Sequence, residues 1–426
     1  MSQSLSYKES STMSINLINT LAQPLKSAAK FVNHNEQASG LSTTRFIQDT
    51  GTCLVPKAVF ARSKEDLAEN TFLELSESAL VYFAPALIGE NIARKAFQRG
   101  LSDEGKKLVG ESTSKLLNSK NPLAKKVLSV KAAIALCALF IPLTEFTLNY
   151  FKNLMTLKVF KKGDFNNIAS LDNKKEDKKL HEHIKNNAYK NIKRAAAALA
   201  ASIGLGILIA KKGANSKTLH HISEAVLEPG TKFFKKNEKA KNFFNKYFSL
   251  DHDVENGKLV LSKGQLTSCV LIGMGGYFGA AKDRGKQNFL ETLFRLPVVG
   301  FYIITGSELF EKGFKKLLKK SGKCKETIGK NLEVPSFDKL ETMAKELAKK
   351  NNTKAEAEFK KLAKQKVLIS GVPFLFSIGF MGFFVAGISN LFTKYRYNHD
   401  KKVNAMSQQF LSDKNRVQTY KTFFCL

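Results

Sequence analysis

Arginine occupies only nine of the 426 positions, although lysine and arginine together number 68 against 37 aspartates and glutamates. The net charge of +31 is therefore carried mainly by lysine. A lysine is a hydrated point charge without a planar fork, so this surplus favours diffuse attraction to anionic surfaces over bidentate reading of phosphates or bases. No aromatic-rich basic motif accompanies it, which disfavours a soluble nucleic-acid binder. Cysteine is scarce as well. Cys53, Cys137, Cys269, Cys324 and Cys425 are odd in number, scattered and without a CxxC pair, which argues against a disulfide framework and a cysteine-based zinc site. Cys425 stands one residue from the end, too close for a prenylation box. Met1 to Val32 lacks the charged, apolar and small-residue order of a cleaved signal peptide, and the first arginine, Arg45, comes late for a transit peptide.

The most informative absence is of charge altogether, over the 27 residues from Val367 to Thr393. As a helix this run is about 40 Å long against a hydrocarbon core of about 30 Å. Fifteen of its residues are Leu, Ile, Val or Phe. On an insertion scale these contribute roughly 5 to 9 kcal/mol before the penalties of Pro373, glycine and serine. The run is predicted to be a transmembrane helix, closed by Lys394, Tyr395 and Arg396.

Four weaker apolar segments precede it, at 132–151, 195–210, 264–281 and 289–310. The last two are expected to form a helical hairpin. Residues 1–40 read as a mobile segment carrying an amphipathic stretch (Ile15, Leu17, Ile18, Leu21, Leu25, Phe31) that could lie on a membrane. Residues 41–131 read as a helical region whose main helix, 64–99, is capped by Ser63 and Asp66 and kinked at Pro85. The capping pattern of Asn352, Thr353 and Glu356 starts a helix that runs on into the span. Residues 311–366 form a basic helical segment and 394–426 a basic tail. The only strand signal is a small hairpin over Asp253 to Leu261, turning at Asn256 and Gly257. The expected fold is all-α, a multi-pass membrane bundle with lysine-rich amphipathic connections. With five spans, the N-terminal side holds 45 Lys and Arg and the opposite side 22, which places the N-terminus in the cytoplasm of a bacterial inner or plasma membrane.

Motifs for chemistry are weak. Gly273, Gly275, Gly276 and Gly279 follow an apolar run, but Phe278 stands where a dinucleotide loop needs glycine, so Gly275 and Gly279 are assigned to helix packing. His181 with His183, and His220 with Glu224, lack the spacing or the second pair of a metal site. Asp251, Asp253 and Glu255 lack the glycine and closing glutamate of a calcium loop. Glu145, Glu291, Arg295 and Glu308 stand within or beside apolar helices, where ionisable groups are costly and mark a polar site. Glu291 and Arg295, four apart, can satisfy each other. Lys360, Lys361, Lys364 and Lys366 precede the strongest span and are the expected contacts to anionic lipid. The expected function is a non-enzymatic membrane scaffold or membrane-shaping protein that binds anionic headgroups or an acidic protein partner. The alternative is a secondary transporter using the intramembrane Glu and Arg residues. No cofactor or metal is expected.

Overall fold

The computed structural model describes residues 21–37, 54–83, 94–255 and 258–424. Its main helices are α1 (Gln23–Gln37), α2 (Lys64–Glu77), α3 (Ala124–Cys137), α4 (Phe140–Val159), α5 (Lys178–Lys212), α6 (Lys217–Leu227), α7 (Pro229–Phe233), α8 (Glu238–Phe248), α9 (Lys263–Lys282), α10 (Lys286–Phe301), α11 (Ser307–Lys320), α12 (Phe337–Asn351), α13 (Ala355–Ser377) and α14 (Val385–Phe424). Shorter helices fill the connections. The hairpin amounts to two three-residue strands, Asp253–Glu255 and Lys258–Val260, paired antiparallel with Asp253 opposite Val260. They form no sheet layer, and the turn residues Asn256 and Gly257 lie outside the described residues.

Helices α3 and α4 form the axis of the bundle. They are separated at Ala138 and Leu139, where Pro142 lacks the N–H that would bond back to the Ala138 carbonyl. α4 packs against α9, α5 and α2, while α3 packs against α5 and α6. The largest apolar core joins Val127, Leu128, Val130 and Ile134 of α3 to Ile209 of α5 and Leu227 of α6. A second core lies apart from it, where Leu21 and Ala29 of the N-terminal segment meet Phe337, Leu340 and Ala344 of α12 and Phe359, Leu362 and Ala363 of α13. The amphipathic face expected to rest on a membrane is thus taken up by protein at Leu21 and Leu25, while Ile15, Leu17 and Ile18 lie outside the described residues.

The expected 64–99 helix is described at its two ends, 64–83 and Arg94–Gln98, and residues 84–93 lie outside the described residues. Ser63 caps α2 by accepting from Asp66 N at 3.0 Å. After Glu77 the helix widens into a π-turn, Ser78–Phe83, and Pro85 lies outside the described residues. Similar π-turns, Tyr302–Gly306 and Ile378–Phe384, each begin five residues beyond a proline, Pro297 and Pro373. Both are passed without a break, so α10–α11 and α13–α14 run as continuous rods. The start of α13 also differs from expectation. Asn352 closes α12 in the left-handed region (φ 52°), and Lys354 takes the N-cap position without a side-chain bond. Thr353 Oγ1 donates instead to Glu358 Oε1 at 2.9 Å.

Among the described residues, four helical stretches are long and apolar enough to cross a membrane: Ala124–Val159, Lys178–Lys212, Lys286–Lys320 and Ala355–Ser412. The fifth expected span, 264–281, is not among them. Its glycine-rich face is spent on α4. The apolar stretch of α3–α4 is 67% buried inside the protein, but those of α5, α10–α11 and α13–α14 only 22%, 17% and 6%. These three therefore turn their apolar surface outward, with Ile207, Phe301, Leu375, Phe384 and Leu391 among the exposed side chains.

Candidate functional site: an ionisable seam inside the bundle

One face of α2 meets α4, α9 and α10 along a line of charges. It begins at Arg62, just before the Ser63 cap, whose hydroxyl donates to the Ile168 carbonyl at 2.5 Å and fixes where α2 enters. Arg62 forms a fork on Glu291 of α10, Nη1 to Oε2 at 2.7 Å and Nη2 to Oε1 at 3.2 Å, while its Nε reaches Asp66 Oδ2 at 3.1 Å. Burial alone would lower the pKa of this guanidinium. Glu291 and Asp66 outweigh that effect and hold it above the ordinary arginine value.

Two turns along α2, Glu69 receives a second fork from Arg284, in the α9–α10 connection, at 2.8 and 2.6 Å. Thr156 of α4 donates to the same carboxylate at 2.5 Å. Arg284 is only 1% exposed, so neither partner can fall back on water. Burial pushes the Glu69 carboxyl up, but Arg284 more than reverses this, and it stays below its ordinary value. Lys57 pairs with Glu74, and Tyr277 of α9 donates to Glu77 Oε1 at 2.5 Å.

The face that α4 presents is a polar stripe of Glu145, Asn149, Lys152, Asn153 and Thr156. Asn149 and Asn153 are fully buried and donate to the carbonyls of Glu145 and Ala280 at 3.1 and 3.0 Å. Their Oδ1 atoms and Arg284 Nε have no partner among the described residues. Lys152 is within electrostatic reach of Glu69, Asp66 and Glu77, and Glu77 within reach of Glu145.

Glu145 lies against Gly273, where an added Cβ would stand 2.5 Å from its Oε1. At Gly276 a Cβ would meet the Phe146 carbonyl oxygen at 2.5 Å, and at Gly279 the Tyr150 hydroxyl at 2.1 Å. Close packing of α9 on α4 thus uses Gly273, Gly276 and Gly279. Gly275 stands to the side, with nothing nearer than the Phe146 ring at 3.9 Å.

The other expected residues separate. Glu291 is held by Arg62 from 229 positions away, not by Arg295 on its own helix. Arg295 makes no ion pair within 4 Å among the described residues but is within electrostatic reach of Glu77. Glu308 pairs with Lys263 and Lys312 at the surface, outside the seam. Lys360 and Lys364 are exposed, and Lys361 pairs with Glu326 at 2.9 Å. Lys366 is not a lipid contact: it is 1% exposed, donates to the Pro335 carbonyl and lies over the Phe337 ring at 5.3 Å. Among the described residues, no three His, Cys, Asp or Glu side chains are placed to hold a metal.

Arg62, Glu69, Glu77, Tyr277 and Arg284 did not stand out in the sequence. One signal was available. In a chain that otherwise uses lysine, arginine at a helix flank marks a place where a forked donor is needed.

The chain matches no family model, no curated protein and no solved structure.

Proposed function

We propose that this protein is an integral, non-enzymatic membrane scaffold: a helical bundle seated in a bilayer, whose lysine-rich outer helices hold anionic headgroups. The observation that supports this most is how its charges divide. The ionisable groups inside the bundle are largely spent on one another, through Arg62 with Glu291 and Asp66, Arg284 with Glu69, and Lys57 with Glu74. Such forks lock α2 to the bundle. Lysines outside, such as Lys360 and Lys364, remain exposed. Outward apolar surface on three of the four long helices supports the bilayer setting.

The test is lipid retention by the full-length protein in a neutral detergent. It is expected to keep phosphatidylglycerol over phosphatidylcholine, and to lose that preference at about 1 M salt, where the screening length falls to about 3 Å. Retention of both lipids alike at every salt concentration would overturn the headgroup reading. Loss of both, with salt-sensitive binding of an acidic protein instead, would transfer the basic surface to a protein partner.

Transport through the seam is a second reading, favoured by Glu145. The seam holds six acids, Asp66, Glu69, Glu74, Glu77, Glu145 and Glu291, against five bases, Lys57, Arg62, Lys152, Arg284 and Arg295. Glu77 and Glu145 are the acids without an ion pair among the described residues; Glu77 accepts from Tyr277, whereas the Glu145 carboxylate has no such donor there. A proteoliposome flux assay comparing the parent with Glu145→Gln separates the readings, because only a transported proton or cation needs that charge.

A further inference from the structure

The connection between α5 and α9 carries a small, tightly built helical hairpin, α7–α8. Gly230 of α7 sits so close to α8 that an added Cβ would stand 2.0 Å from the Lys241 carbonyl oxygen. Asn245 of α8 clasps Thr231, donating to its hydroxyl at 2.9 Å and accepting from its backbone N at 3.2 Å. The rings of Phe234 and Phe244 stack at 4.3 Å, and Phe244 continues to Phe248 at 5.2 Å. The inner face of the hairpin is therefore full.

Its outer face is not the polar surface that water would favour. Phe233 is 67% exposed and Phe243 51% exposed. Lys239, Asn242, Phe243 and Lys246 follow one another at helical spacing on the exposed stripe of α8, so the phenylalanine has a lysine a turn to either side. Lys235 and Lys236 are exposed beside Phe233. Outward phenylalanine between lysines is the pattern of a helix lying in the headgroup region, rings toward the acyl chains and ammonium groups toward phosphate.

Position along the bundle agrees. Lys263 at the start of α9 lies over the Tyr247 ring of α8 at 5.3 Å and pairs with Glu308. Glu308 is where Lys286–Lys320 passes from its apolar stretch to Glu311, Lys312 and Lys315. α8 is thus docked level with the end of an apolar stretch.

We infer that the α7–α8 hairpin is an interfacial anchor that inserts Phe233 and Phe243 into the leaflet of the protein's own bilayer and binds its anionic phospholipids through Lys235, Lys236, Lys239 and Lys246. This rests on the bilayer reading above and names a second lipid surface beside that of α13. Charge complementarity selects anionic headgroups, with each lysine near such a surface worth roughly a fivefold factor.

The chain has no tryptophan, so each introduced one reports alone. Phe243→Trp and Phe233→Trp would be reconstituted at full length in vesicles containing brominated phosphatidylglycerol or brominated phosphatidylcholine, beside Leu375→Trp on the apolar run of α13 as a control. Blue-shifted emission at 243 and 233, quenched more strongly by the brominated anionic lipid, is the expected result. Adding Lys239→Gln and Lys246→Gln should remove most of that preference at 243 while leaving the control unchanged. Water-like emission with no quenching at 243 and 233, beside a quenched control, would overturn the anchor and leave the bilayer reading standing. Equal quenching by both lipids would overturn the anionic assignment, and an unquenched control would overturn the bilayer reading and the anchor with it.

Discussion

Single side chains here are decided by what they can reach. Lys364 and Lys366 are two residues apart in one basic run, yet one faces solvent and the other donates to the Pro335 carbonyl beneath the Phe337 ring. Lys364→Gln is expected to change stability by no more than about 0.5 kcal/mol, and Lys366→Met by about 1 to 3 kcal/mol, in denaturant titrations. Arg284→Ala should cost about 3 to 5 kcal/mol, because it strands the buried Glu69 carboxylate; Arg284→Met with Glu69→Leu should recover most of that loss. The sign of the pH dependence follows from the same pair. Glu69 is held below its ordinary value, so its contribution is fully present above the unfolded carboxylate pKa and is lost as pH falls through the folded one. A protein carrying Glu69→Gln should therefore show a smaller loss of stability on acidification below about pH 4.5 than the parent does.

Between helices, the decisive quantity is how closely two backbones approach. Gly275 and Gly276 are neighbours in sequence, but only Gly276 presses on the backbone of Phe146. Gly276→Ala is expected to force α9 off α4 at a cost of about 1 to 3 kcal/mol, whereas Gly275→Ala should be neutral or slightly stabilising. Thermal melts of both variants in one detergent would check this. The α13–α14 rod makes a different demand, since little of the protein covers its apolar stretch. Phe380→Asp with Phe384→Asp should impair membrane insertion by roughly 5 to 7 kcal/mol, plus the loss of two favourable side chains. Its readout is the fraction of chain recovered with membranes after synthesis.

For the whole molecule, the bilayer reading requires that alkaline carbonate leave the full-length protein in the membrane pellet. Release into the supernatant would contradict it. Four crossings would bring both ends of the chain to one side, whereas the sequence expectation of five puts them on opposite sides. Accessibility of tags at the two termini distinguishes these arrangements.

The sequence alone determined the helical class, the Ser63 cap and the long rod through Val367 to Thr393, because helical periodicity, capping and an uncharged run are written in neighbouring residues. Only the tertiary structure decided that Glu291 answers to Arg62, that Glu69 answers to Arg284 215 residues away, and that Gly276 carries the α9 contact in place of Gly275. It also buried Lys366 beneath the Phe337 ring. A fork between charges needs two helices at a fixed distance and rotation, and that geometry is set by the packing of α2, α4, α9 and α10 together, which no local pattern contains.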